Sequence, residues 1–188
     1  IEGLKSQEKS VPAIAGRVQR VLAYGKNHPE GEYLSEETIN NVTLADVNQN
    51  YVTYFTPQNA YLVIVGDVKF DKVKADVERL FGTWKKGIAP QVSYSAPKDV
   101  QYTQINFVDA PNAVQSEIAL VNLSKLKMTD KDYFAALLAN QILGGGGEGR
   151  LFLNLREAHG WTYGAYSSIG SGKYTSKFRS SSSVRNTV

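Results

Sequence analysis

Residues 143–166, LGGGGEGRLFLNLREAHGWTYGAY, constrain the fold more than any other stretch. Leu143 closes an apolar helical run; four consecutive glycines follow it (Gly144–Gly147), then Glu148 and Gly149. Each ordered glycine costs roughly 0.5–1 kcal/mol of backbone entropy relative to alanine. A chain that keeps such a loop between two helices needs bare backbone there. The reasons open are a close approach by another chain and tight helix–helix packing. A second helical pattern starts at Arg150, with Leu151, Phe152 and Leu155 on one face and Arg156 beside them. His159-Gly160 breaks it, and Trp161 to Tyr166 reads as a strand.

Elsewhere the pattern alternates between helix and strand signals. Val11 to Tyr24 has helical spacing, with Pro12 tolerated in the first turn. Ser35 to Asn40 is a short helix or turn. Thr43, with Asp46 three residues on, opens a helix through Leu44, Val47, Tyr51 and Phe55, and Pro57 stands just beyond its end. Ala60 to Val65 is a continuous apolar, β-branched run, which predicts a buried strand. Asp71 caps a further helix carrying Val73, Val77, Leu80 and Phe81. Residues 85–100, with Pro90 and Pro97, are a linker or an extended crossover. Tyr102 to Val108 alternates as a half-buried strand, and Ala113 to Leu123 is another. Thr129 to Asp132 cap a long helix through Phe134, Leu137, Leu138, Gln141 and Ile142. Tyr174 to Val184 is the final strand. Helices and strands mix without strict βαβ alternation. The fold class is therefore α+β, a mixed, largely antiparallel sheet with helices packed on one face.

Several function classes recede on composition. Cysteine is absent, which excludes disulfides and thiolate metal sites. That leaves the compartment unknown, since periplasm and cytoplasm both suit such a chain. No apolar run approaches the ~18 residues of a membrane span. A net charge of +3 calls for neither nucleic acid nor a membrane surface. The chain begins with Ile1, and its one methionine is Met128, so it reads as a fragment of a longer protein.

The two histidines, His28 and His159, stand far apart, and neither H-x-x-E-H nor H-E-x-x-H occurs. No metal site is expected within these residues. Gly144-x-Gly146-x-x-Gly149 formally matches a dinucleotide fingerprint, and Gly144 to Arg150 nearly matches a P-loop. Both fail on context, because a helix rather than a strand leads into the loop. The P-loop fails on chemistry too, with Arg150 where lysine is needed and Leu151 where a hydroxyl is needed. Ser180–Ser183 form a serine run, but no G-x-S-x-G elbow supports a nucleophile. Arg156 and Tyr163 remain, and they span a helix end, a turn and a strand start. Such a return can bring a guanidinium and a phenol to one sheet edge, as donors to an oxygen gaining negative charge. The alternative is that Arg156 only satisfies helix-end carbonyls while Tyr163 is half-buried strand surface.

The stretch LGGGGEGRLFLNLREAHGWTYGAYSS resembles the C-terminal-type domain of the insulinase/pitrilysin-like zinc metallopeptidases, which include the mitochondrial processing peptidases. NNVTLADVNQNYVTYFTPQNAYLVIVGDVKFDKVKADVERLFGTW is similar to the segment that opens the same domain, and VQSEIALVNLS and YTSKFRSSSSVRN also fit. The resemblance implies a lead-in or tail of a preceding domain over 1–37. It implies a C-terminal-type peptidase domain over 38–188, truncated at its end. It further implies a substrate-binding role within a peptide-hydrolysing zinc metalloendopeptidase. Arg156 and Tyr163, seven positions apart, match an Arg/Tyr pair of the family and take its catalytic role. Gly144, Gly145, Gly146, Gly147 and Gly149 match a substrate-handling region. Zinc is expected in the parent or a partner, not in this fragment. The implied partners are an extended peptide and a zinc-bearing domain or subunit, with a homodimer left open. The rival is a non-catalytic subunit or peptide-binding scaffold of the same fold.

Overall fold

The computed structural model describes all residues, 1–188, as two compact units. One comprises residues 1–35 and 94–188, the other residues 36–93. The boundary at 93/94 falls inside the proline-bearing stretch 85–100, which carries neither helix nor strand.

The larger unit is built on a three-stranded antiparallel sheet of order β1-β3-β2. Its strands are β1 (Gln115–Ser124), β2 (Thr162–Ile169) and β3 (Ser176–Arg185). Its helices are α1 (Glu2–Glu8), α2 (Val11–Tyr24), α6 (Tyr133–Gly144) and α7 (Arg150–Phe152). The smaller unit is helical, with α3 (Glu36–Asn40), α4 (Leu44–Tyr54) and α5 (Phe70–Phe81). The α+β class expected from the sequence is the one observed.

Strand register assigns the side chains to two faces, because successive residues point to opposite sides. Ile118 and Ala165 both oppose Ser182, and Leu120 and Ser167 both oppose Ser180, so these residues share one face. Glu117 opposes Ser183, and Tyr166 opposes Ser181, on the other face, where Arg179 and Lys177 continue the row along β3. The helix spacing of α6 delivers Asn140 and Gly144 to β2. Asn140 Nδ2 donates to the Ser167 carbonyl at 3.2 Å. Leu151 and Leu155 meet Ile118, Leu120, Ala165 and Trp161 around an apolar cavity of about 340 Å³ on the first face. On the second face α2 is tied to β3, where Arg179 Nε donates to Gln19 Oε1 at 2.9 Å.

Two strands expected from the sequence do not form. Ala60 to Val65 joins no ladder, with Tyr61 99% and Val65 91% exposed. Tyr102 to Val108 likewise stays unpaired, with Ile105 95% exposed. Both have strand composition. A strand, however, is held by the backbone bonds of a neighbour, and neither unit brings one alongside.

The start of α4 was the clearest capping signal in the sequence, and it forms. The Asp46 N–H donates to Thr43 Oγ1 at 3.2 Å, and the Thr43 N–H donates to Asp46 Oδ2 at 2.8 Å. The Thr43 hydroxyl first, and its N–H second, hold the Asp46 carboxyl below its ordinary 3.8. A carboxyl lowered in this way supports the helix above pH 3.8, and that support is lost as pH falls through its folded value. Thr43→Ala removes the N-cap acceptor and should weaken α4 by about 1 kcal/mol. The measurement is amide exchange along α4, and its acid sensitivity should also flatten.

Candidate functional site

The glycine loop delivers the chain into α7 with little room to spare. A Cβ on Gly144 would lie 2.7 Å from the Ser167 nitrogen and 2.8 Å from Leu151 Cδ1. One on Gly149 would lie 2.8 Å from the Gly144 Cα, so two glycine backbones pack directly against each other. A Cβ on Gly145 would meet Gln141 one turn back, 2.3 Å from its side-chain Oε1 and 2.7 Å from its Cα. Tight packing of the end of α6 against the start of α7 and β2 thus accounts for Gly144 and Gly149, and crowding against its own helix for Gly145. It does not account for Gly146 or Gly147, whose nearest neighbours would be 3.5 Å and 3.9 Å away.

After Phe152 the helix widens into a π-helical turn over Leu153–Ala158, which contains Arg156. Such turns hold extra residues per turn and recur at functional sites. The helix stops at Gly160, whose φ of 63° suits a residue without a Cβ. Two nested bonds close the end, from the Gly160 N–H to the Arg156 carbonyl (2.9 Å) and from the Trp161 N–H to the Leu155 carbonyl (3.0 Å). Arg185 of β3 secures the return by donating to the Gly160 carbonyl at 2.9 Å.

The chain then enters β2 through an irregularity. Thr162 opposes Val184 and Ala165 opposes Ser182, so Tyr163 and Gly164 together face the single intervening Ser183. This is a β-bulge, a device that re-aims a side chain. The Thr162 hydroxyl stands in for the lost ladder bonds. It donates to the Ser183 carbonyl at 2.6 Å and accepts from the Gly164 N–H at 3.1 Å. Ser182 Oγ adds a 3.0 Å bond to the Gly164 carbonyl.

The bulge turns Tyr163 outward, 84% exposed, at the open end of the second sheet face. There it lines an open concavity of about 430 Å³, of mixed polar and apolar surface, with Gln115, Glu117, Tyr166 and Ser183. Ser183 Oγ donates to the Glu117 carboxylate across the strand pair. Arg156 does not touch Tyr163. Its guanidinium pairs with Glu157 and lies 5.2 Å from the Phe152 ring centroid. Phe152 meets Tyr166 with ring centroids 5.8 Å apart, so aromatic contacts lead from Arg156 to the concavity that holds Tyr163.

Sequence reasoning singled out Arg156 and Tyr163 but missed Thr162, Glu117 and Ser183. Thr162 carried a readable signal, a hydroxyl beside a Tyr-Gly pair at a strand start. Glu117 and Ser183 carried none, because only register unites them.

Residues 41–186 match the peptidase M16 inactive domain. The chain belongs to that family. This M16 inactive domain is 25% identical over 150 residues to the probable inactive metalloprotease YmfF of Bacillus subtilis, covering 79% of this chain and 35% of that protein. It is 26% identical over 169 residues to the uncharacterized zinc protease YmxG of the same organism, covering 88% and 39%. A solved peptidase M16 inactive domain from Pseudomonas fluorescens superposes with a TM-score of 0.82 at 26% identity, covering 98% of this chain and 44% of that one. A Helicobacter pylori protease shares the fold, with a TM-score of 0.71 at 20% identity, covering 95% and 48%. The M16 inactive domain thus spans less than half the length of each.

The residues of this domain do not fit a zinc ion. No group of three or more His, Cys, Asp or Glu side chains comes together. His159 is stacked on Trp161 at 4.2 Å, and His28 lies between Tyr24 and Tyr94 at 5.3 and 5.5 Å.

Two substitutions separate packing from openness in the loop. Gly144→Ala should cost about 1–3 kcal/mol, because the Cβ meets backbone of β2. Gly147→Ala should be neutral or stabilising by up to about 1 kcal/mol. Urea unfolding of both variants checks the contrast. Thr162→Val should loosen the bulge and cost about 1–3 kcal/mol by stranding its partners. The readout is faster amide exchange at Gly164.

Proposed function

We propose that this M16 domain is the substrate-binding part of a peptide-hydrolysing protein, in which any zinc lies on another domain or chain. The observation that carries the reading is Tyr163, a phenol set outward by a bulge over an open end of the sheet. A buried phenol would be structural. An exposed one on a fixed backbone is an available donor, and its hydroxyl suits a carbonyl oxygen of a bound peptide. Arg156, on the π-helical turn, offers a second donor that can hold a neighbouring backbone oxygen once it leaves Glu157.

The peptide would lie extended. Strand β2 is an edge strand, and such edges take an added strand through main-chain bonds. Asn140 already occupies the Ser167 carbonyl, so pairing belongs to the end of β2 that carries Tyr163. Gly146 and Gly147, which packing does not explain, leave bare backbone for a passing chain. A zinc-bearing domain or subunit completes the assembly, either in one polypeptide or across a dimer.

A second reading has its own support. YmfF is described as a probable inactive metalloprotease, and the matched family as an inactive domain. In that case the same surface binds peptides without cleavage. The test is kcat/KM of the full-length parent on a quenched peptide, wild type against Tyr163→Phe. A loss of about 10²-fold with unchanged fold places Tyr163 on the reacting carbonyl. Equal activity returns it to strand surface. No activity in the wild type, with peptide binding that Tyr163→Phe weakens, selects the scaffold.

A further inference from the structure

The open concavity beside Tyr163 holds a charge that the oxygen-binding role of Tyr163 leaves unused. Glu117 is the one lining residue with a formal charge; the rest are tyrosine, serine, threonine, glutamine and glycine. Register sets Glu117 opposite Ser183, whose hydroxyl donates to its carboxylate. No lysine, arginine or histidine lies within ion-pair distance of that carboxylate. A carboxylate offers about four lone-pair sites, so most of its accepting capacity stays open.

The same sheet face has cations, and their bonds take them elsewhere. Arg185 opposes Gln115, yet its Nη2 donates to the Gly160 carbonyl at 2.9 Å. Arg179 donates from Nε to Gln19 at 2.9 Å and from Nη1 to Ser181. Arg156 pairs with Glu157. Glu117 is half-buried, and a glutamine would hold Ser183 without the cost of a charge that has no partner. The rings beside it favour the same kind of partner. A Cβ on Gly164 would lie 2.6 Å from Tyr166 Cε2 and 3.0 Å from its hydroxyl, so that ring folds back over the bulge. Tyr163 and Tyr166 thus line the concavity together with Glu117. Aromatic faces attract ammonium and guanidinium groups, and a carboxylate accepts their hydrogen bonds. An acidic side chain would meet like charge here, and an aliphatic one would leave Glu117 unpaired.

We infer that this concavity, on the peptide-binding reading above, is a subsite for a basic side chain, with Glu117 as its specificity-determining carboxylate. The Ser183 hydroxyl holds the carboxylate in place across the strand pair, and the two tyrosine rings flank the bound ammonium or guanidinium. At about 430 Å³ the concavity has room for a long side chain. The basic residue lies near the peptide carbonyl that Tyr163 holds, because Tyr163 lines the same space.

The test is kcat/KM of the full-length parent on quenched peptides in which one position at a time holds arginine, its neutral isostere citrulline, lysine or norleucine. Where the parent binds without cleaving, Kd of the same peptides is read instead. At one position the wild type should favour the charged residue over its neutral counterpart about ten-fold, the size of one charge-assisted contact. The larger of the arginine/citrulline and lysine/norleucine ratios names the head group. Glu117→Gln keeps an acceptor for Ser183 and should abolish the preference. Gln115→Lys keeps Glu117 but sets a cation two residues away on the same strand face, and should abolish it too. Each ratio is taken on one protein, so a partly unfolded variant lowers both values and leaves the ratio intact. A wild type that treats charged and neutral residues alike at every position, while Tyr163→Phe still weakens cleavage or binding, overturns the inference and leaves the peptide reading standing. A preference that survives Glu117→Gln overturns the inference as well. A wild type that neither cleaves nor binds any of the peptides removes the peptide reading, and this inference with it.

Discussion

The pairing of β3 on both of its sides is the interaction on which the larger unit depends. The strand takes β1 along one side and β2 along the other, so it joins chain segments that are distant in sequence. Both backbone edges of β3 are thereby satisfied, while β1 and β2 each keep one edge free. Much of the surrounding structure is tied to this strand. Ser183 reaches Glu117, Ser182 and Ser183 brace the bulge around Gly164, Arg185 closes the turn at Gly160, and Arg179 ties down α2. The serine run Ser180–Ser183 is a row of short hydroxyls along β3. Small side chains there let α7 approach one face, while on the other the end of the strand near Ser183 lines the open concavity beside Tyr163.

How much was legible depends on whether the deciding interaction was local. Helix α2 came out at Val11–Tyr24 and α4 at Leu44–Tyr54, because caps and spacing act within a few residues. The break at His159-Gly160 and the strand behind it were readable for the same reason. Ala60–Val65 and Tyr102–Val108 were misread as strands. Their composition favours extension, but a ladder is made by a partner, and sequence patterning along one segment does not supply one. The sequence placed Arg156 and Tyr163 on opposite sides of one turn but said nothing of the bulge. A one-residue slip in register is decided by the neighbouring strand.

The glycines divide by cause. Three are demanded by contacts inside the domain: Gly144 and Gly149 lie where α6, α7 and β2 converge, and Gly145 lies against Gln141 of α6. Two are not, and those lie at the tip. The loop thus has a buried half that fixes its path and an outer half with spare room. A rigid base with a bare tip holds the loop's path fixed while leaving its outer backbone uncovered.

The π-helical turn before Gly160 has a geometric consequence. Its nested closing bonds span one residue more than the α-helical form, so the direction of Arg156 is set by how many residues the turn contains. Side chains in the turn are interchangeable to a degree. Its length is not, since each residue in a helix advances the azimuth by about 100°. Losing a single position between Leu153 and Ala158 would swing the guanidinium away from Phe152 while the fold persisted. The number of residues between Arg156 and Tyr163 therefore sets the direction in which each leaves the turn.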